Sequence, residues 1–174
     1  MDVNARGGGG NTLLLDAAML NRTKIAKLLL SRGANVNVKD VWGNTPLIWA
    51  INRKNPVLID LFLSHHANPN LANAMGITPL MYACGFGHAK LAETLLRNGA
   101  EIDAKTKLGN TALIVAVMEE NRNCVMLLMD HRANPEIANS DGQTALSIAR
   151  KNNDKSLIEL LTRKQAEVPA KSSR

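Results

Sequence analysis

The sequence predicts an all-α fold, an array of five stacked helix–turn–helix units. Three observations lead there. A fixed period of 33 residues runs through the chain without a slip. Each period carries two short apolar stretches at helical spacing. The composition is 45% apolar but only 3% aromatic, so Leu, Ile, Val, Ala and Met must build the core.

The period is carried by identical residues. Thr12, Thr45, Thr78, Thr111 and Thr144 recur in register, each with a Gly two residues earlier: Gly10, Gly43, Gly76, Gly109 and Gly142. Leu14, Leu47, Leu80, Leu113 and Leu146 follow, then Ala17, Ala50, Ala83, Ala116 and Ala149. A fifth position holds Ala34, Ala67, Ala100, Ala133 and Ala166. Self-similarity at this spacing is the mark of a repeat architecture.

Each recurring residue has a physical task. The Thr is placed as an N-cap, its hydroxyl accepting from a free N–H of the first helical turn. Pro46 and Pro79 follow at the first helical position, where a missing N–H is harmless. The Gly before it supplies a turn with unusual backbone angles. Leu and Ala three apart share one helix face, and the small Ala allows close packing.

A second apolar stretch completes every unit: Ile25, Leu28 and Leu29; Leu58, Leu61 and Phe62; Leu91, Leu95 and Leu96; Cys124, Leu127 and Leu128; Leu157, Leu160 and Leu161. This spacing reads as a second helix. Gly33 and Gly99 then serve as left-handed C-caps. One such pair cannot bury its own apolar face, but a stack of them can.

Segments such as Gly43-Asn44-Thr45-Pro46-Leu47, Gly76-Ile77-Thr78-Pro79-Leu80 and Gly33-Ala34-Asn35-Val36-Asn37 resemble the ankyrin repeat, and the resemblance covers about residues 7–166. It implies an ankyrin-repeat solenoid with β-turn finger loops beside the inner helices and a concave groove. Repeats are expected at 7–39, 40–72, 73–105, 106–138 and 139–166, the last as a polar C-terminal cap. Residues 1–6 read as the tail of a preceding unit or an N-terminal lead, and 167–174 as a disordered tail.

Departures from the family pattern carry expectations of their own. The His that usually follows Pro-Leu is replaced by Leu15, Ile48, Met81, Ile114 and Ser147, so apolar packing should do more of the stabilising. His66 and Arg132 stand where Gly33 and Gly99 cap their helices, and a left-handed non-Gly residue costs about 1–2 kcal/mol.

The resemblance also implies a function: recognition of another protein, as adaptor or scaffold. A second role for the same surface is inhibition, by masking a partner's active site or localisation signal; animal adaptors and translocated bacterial effectors both resemble this array. In this family, finger tips and inner-helix ends usually meet the partner. The position before the finger Gly holds Gly9, Trp42, Met75, Leu108 and Asp141. The apolar stripe expected there is Trp42, Met75 and Leu108, with Ile77 beside it and Phe86 extending it. Exposed apolar stripes mark interaction surfaces, and Trp is enriched among binding hot spots. Arg53 and Lys54 in repeat two, with Glu119 and Glu120 in repeat four, are placed to orient a bound peptide. The competing reading is that the stripe stiffens the fingers and the charges serve solubility.

Other chemistry finds little support. Trp49 and Tyr82 suggest an aromatic cage, but Val115 and Ile148 at equivalent positions point to core. The histidines, His65, His66, His88 and His131, are too scattered for a zinc site. Cys84 and His88 are close in sequence, yet Cys84 replaces Ala18, Ile51 and Val117 and reads as a small core residue. No Gly-rich phosphate loop stands between a strand and a helix. The sequence therefore predicts no enzyme, cofactor or metal, and no small-molecule substrate.

The net charge of +6 is scattered, without the basic stripe of a nucleic-acid binder, except toward the C-terminus (Arg150, Lys151, Lys155, Arg163, Lys164, Lys171 and Arg174). That end leaves electrostatic attachment to nucleic acid or an anionic membrane as a minor third reading. No apolar run spans a bilayer, and the N-terminus lacks a signal-peptide core. Two cysteines are too few for a disulfide scaffold. The chain is read as a soluble, intracellular, monomeric array. Asn37, in Asn35-Val36-Asn37-Val38 with Leu29 eight residues earlier, resembles a site of the ankyrin-directed asparaginyl hydroxylase, or is an ordinary loop stabiliser.

Overall fold

The computed structural model describes residues 2–167, the last four by their backbone alone. Residues 168–174, within the expected tail, lie outside it. The described residues form ten helices: α1 (Leu13–Met19), α2 (Thr23–Ser31), α3 (Pro46–Asn52), α4 (Pro56–Ser64), α5 (Pro79–Gly85), α6 (Ala89–Arg97), α7 (Ala112–Met118), α8 (Arg122–Asp130), α9 (Ala145–Lys151) and α10 (Lys155–Glu167). A seven-residue helix, a short turn and a nine-residue helix make each of the first four repeats. None of these helices is long and apolar enough to cross a membrane.

The predicted caps are present. Thr12, Thr45, Thr78, Thr111 and Thr144 each accept, through the hydroxyl, from the N–H three residues on, at 3.2–3.4 Å. Ser147 closes the last cap reciprocally, its hydroxyl accepting from Thr144 N–H at 2.9 Å. Its counterparts Leu15, Ile48, Met81 and Ile114 are fully buried, so apolar packing takes this place in the other four helices.

The chain divides into two compact units. The first holds the chain through Tyr82 together with Asn98–Ala100; the second holds Ala83–Arg97 and the chain from Glu101 onward. In the first, α1 packs on α2 and α3, while α4 packs on α3 and α2. In the second, α8 packs on α6, α7 and α10, and α9 on α7 and α10.

The second helix of each unit departs from expectation. Its inward row includes Ala26, Ile59, Ala92 and Val125, all buried, besides the expected Leu29, Phe62, Leu95 and Leu128. Ile25 and Leu28, expected in the core, are 50% and 54% exposed, although Leu58 at the position of Ile25 is sealed at 0%. Helical periodicity marks the apolar residues, but burial needs a neighbouring helix, and among the described residues α2 packs only on α1 and α4.

His66 and Arg132 adopt the expected left-handed conformation, with φ of 60° and 63° against 82° and 86° at Gly33 and Gly99. Changing either to Gly should therefore raise stability by about 1 kcal/mol. Thermal melts of His66→Gly and Arg132→Gly that show no rise contradict this.

The last repeat carries an ion pair beside its buried apolar residues Ile148, Leu157 and Leu161. Asp154 caps α10, its carboxylate accepting from Leu157 N–H at 3.0 Å and meeting Arg122 Nη2 at 2.7 Å. The Leu157 N–H holds this carboxyl below the usual range against a desolvation penalty second in size, with the Arg122 guanidinium adding to the lowering. A carboxyl depressed in the folded state stabilises above its unfolded pKa of about 4, and that stability is lost as pH falls. The melting temperature should thus drop on acidification, and Asp154→Asn should flatten part of the drop. Parallel profiles for wild type and variant contradict the assignment.

Candidate functional site

The fingers of repeats two to five are each built around one buried or half-buried side chain. In repeat two it is Asp40: its Oδ1 accepts from Trp42 N–H at 2.9 Å and Asn44 N–H at 2.8 Å, and its Oδ2 from Trp49 Nε1–H at 2.8 Å. Asn73 does this in repeat three, accepting from Met75 and Ile77 N–H at 3.0 Å and donating through Nδ2 to Tyr82 OH at 3.1 Å. In the second unit Asn139 accepts from Asp141 and Gln143 N–H, and Thr106 Oγ1 accepts from Asn110 N–H. These braces, Asp40, Asn73, Thr106 and Asn139, recur every 33 residues.

Trp49 and Tyr82 are accordingly not core. Both are half-buried, body on the inner helix and polar head tied to a finger. Arg53 stacks 5.8 Å from the Trp49 ring, and its Nε donates to Met19 O at 2.7 Å. Part of its bonding capacity is thus used inside the unit.

Neighbouring fingers of the first unit are laced by hydrogen bonds from one repeat to the next. Arg6 donates to Lys39 O at 3.1 Å, Lys39 Nζ to Ala72 O at 2.7 Å, and Ala74 N–H to Trp42 O at 2.8 Å. Trp42 is therefore fixed through both its N–H and its carbonyl, yet its side chain is 59% exposed. The backbone of Ala74 ties the tip bearing Met75, 54% exposed, to the tip bearing Trp42. Val41, 71% exposed, adds to this edge. It was not singled out in the sequence, though it adjoins Trp42. Ile77 is half-buried.

The remaining sequence candidates are distributed as follows. Leu108 is exposed on a finger of the second unit, its carbonyl accepting from Ser140 N–H at 2.9 Å. Phe86, also in the second unit, is partly exposed and leans on His88, ring centroids 6.1 Å apart. Lys54 and Glu120 have left-handed backbones, φ 53° and 54°, as do Asn21, Gly87 and Asn153 at the same turn of other repeats. Glu119 and Glu120 are exposed, and Glu120 lines a small polar cleft with Gly87, Asn121, Arg122 and Asn123.

Cys84 and Cys124 are free, fully buried, and thiol to thiol in the core of the second unit. The hydrogen bond with Cys124 and then burial push the Cys84 thiol far above its ordinary value, so it is not a poised nucleophile. Asn121 fixes this region, donating through Nδ2 to Cys84 O and Gly85 O at 2.8 and 2.9 Å. Asn37 Oδ1 accepts from Asn68 N–H at 2.8 Å, just as Asn4 Oδ1 accepts from Asn35 N–H. Among the described residues no three His, Cys, Asp or Glu side chains are grouped as metal ligands.

The family model described as ankyrin repeats (3 copies) matches residues 14–106 and residues 99–172. No curated protein matches the chain.

Proposed function

This chain belongs to the ankyrin-repeat family, whose members are in general protein–protein interaction modules, and from that premise we propose that its finger edge recognises a partner protein. The reading rests on Trp42, a large aromatic side chain held out to solvent on an immobilised backbone. A preorganised anchor loses little conformational entropy on binding, which is what a hot spot requires. Met75 and Val41 supply apolar contact beside it. Leu108 offers a comparable side chain on the second unit and is a contact in its own right. The role is that of an adaptor or scaffold, with no chemical step assigned to any residue.

The test is affinity capture from lysate on immobilised chain, wild type against a Trp42→Ala, Met75→Ala double variant, after circular dichroism has confirmed both folds. Both side chains are exposed, so the fold should survive. A partner retained by wild type should bind the variant about 30-fold more weakly, a loss of about 2 kcal/mol typical of a hot spot. Retention of the same proteins by both chains contradicts the reading.

A further inference from the structure

One cation of the first unit is fixed in place without a counter-ion. Arg53, directly after α3, donates through Nε to Met19 O at 2.7 Å, and its Cζ lies 5.8 Å from the centre of the Trp49 ring. Among the described residues no carboxylate pairs with it, and its two Nη groups keep their donors. A guanidinium held by one edge and one face presents the planar fork that grips a carboxylate through two parallel hydrogen bonds. Its side chain is already ordered, so little entropy is lost when an anion arrives.

Arg53 and the anchor Trp42 are joined through one side chain. Asp40 accepts from the Trp42 N–H and from the Trp49 indole, and Arg53 stacks on that indole. From Thr45 to Arg53 the chain rises about 12 Å along the helix, which an extended segment covers in about four residues. Lys39 adds a second charge on the finger of repeat two. Its Nζ donates to Ala72 O at 2.7 Å, a neutral acceptor that leaves the charge uncompensated.

This side of the unit offers no exposed acid. The finger residues 38–44 and 71–77, with helices α1 and α3, contain two carboxylates, Asp16 and Asp40. Asp40 is buried and filled by four donors. Asp16 is half-buried and accepts from Asn11 Nδ2 at 3.1 Å. The exposed apolar groups Val41, Trp42 and Met75 are thus accompanied by cations.

Phosphorylated motifs are met by clustered arginines, and single-stranded nucleic acid by successive aromatic platforms. Here there is one guanidinium fork, and the neighbours of Trp42 are aliphatic. A peptide bearing a carboxylate suits the surface better than either.

We infer that the segment bound at the finger edge is acidic, which rests on that edge being the docking site. A large apolar residue of the partner lies on Trp42, and an Asp or Glu a few residues along lies in the fork of Arg53, with Lys39 favouring the same sign of charge. Complementary charge of this kind selects the partner and sets its direction along the edge.

The probe is a displayed library of random peptides of about twelve residues, selected on the intact chain. Recovered peptides should combine Asp or Glu with a large apolar residue. In fluorescence anisotropy, exchanging the acids of a recovered peptide for Asn or Gln should weaken it about tenfold. Arg53→Ala should weaken it by a similar factor, and the two losses should not add. Trp42→Ala should weaken it as well. The amide peptides need no change in the chain, so they decide the matter even if Arg53→Ala disturbs the helix end.

Peptides that require Trp42 yet bind equally well with amides in place of acids overturn the acidic assignment and leave the finger edge standing. Peptides indifferent to Trp42→Ala overturn both. Recovery of no peptide overturns the inference too, as does binding of oligothymidylate in place of peptide, which assigns the cations to nucleic acid.

Discussion

Replacing Gly43 with alanine should destabilise the first unit by about 3 kcal/mol, the largest effect expected of so small a change. Two costs combine. The backbone there is left-handed, φ 78°, which alone costs an L-residue about 1–2 kcal/mol. A Cβ would also meet Ala74 N at 2.7 Å and the Asn73 backbone at 3.1–3.2 Å. These atoms are backbone and cannot turn aside, so the finger of repeat three must move, and the Ala74 N–H to Trp42 O bond moves with it.

Gly142 provides the control. It occupies the same position of repeat five with φ 72°, but a Cβ there meets nothing within 4 Å. Gly142→Ala should show only the conformational cost, about 1–2 kcal/mol. Urea unfolding of the two variants separates the terms. Equal losses would mean that close approach of neighbouring fingers contributes nothing.

The second large effect concerns Asp40. Its carboxylate is buried and holds four donors, the N–H groups of Trp42 and Asn44, Asn44 Nδ2 and the Trp49 indole. Asp40→Ala leaves these without an acceptor, and a loss of about 3 kcal/mol is expected. It also frees the backbone of Trp42, so partner binding should weaken even where the chain remains folded.

Asp40→Asn is more informative, because Asn73 and Asn139 do the same work in other repeats. The difference lies nine residues on. Asp40 faces an indole, which can only donate, whereas Asn73 donates to the hydroxyl of Tyr82. An Asn at 40 would set an amide donor against the Trp49 N–H. Asp40→Asn should therefore cost about 1–2 kcal/mol. Adding Trp49→Tyr should return part of it, since a phenol can accept. Additive losses in the double-mutant cycle contradict the pairing.

That pairing marks where the sequence stops being legible. The period, the Thr caps, the positive-φ finger glycines and the glycine C-caps could all be read, because one residue type does one job in every copy. The finger brace could not be, although it keeps the same 33-residue register. Asp40, Asn73, Thr106 and Asn139 are of three types, so no single residue marks the position. The left-handed turn between helices was hidden in the same way by Asn21, Lys54, Gly87, Glu120 and Asn153. The sequence shows the charge of Lys54 and Glu120 but not the left-handed backbone that each must hold.

Burial was misjudged where it depends on a neighbour and not on the residue. Ile25 and Leu28 carry the same apolar pattern as Leu58 and Leu61, yet among the described residues no helix packs on that flank of α2. Ala26 and Ala92 were overlooked for the opposite reason: small side chains give a weak periodic signal, although their positions are among the most enclosed. Of the candidate site, Trp42 and Met75 could be found from their place before the finger glycine. Their rigidity could not, since it comes from bonds made by Asp40, Asn73 and Ala74.

The central claim is that the finger edge around Trp42 receives the partner. Hydrogen exchange of the chain, alone and with a captured partner, tests it most directly. The account predicts added protection over residues 40–43 and 73–76. Protection confined to other segments, with these two stretches exchanging as in the free chain, would contradict it.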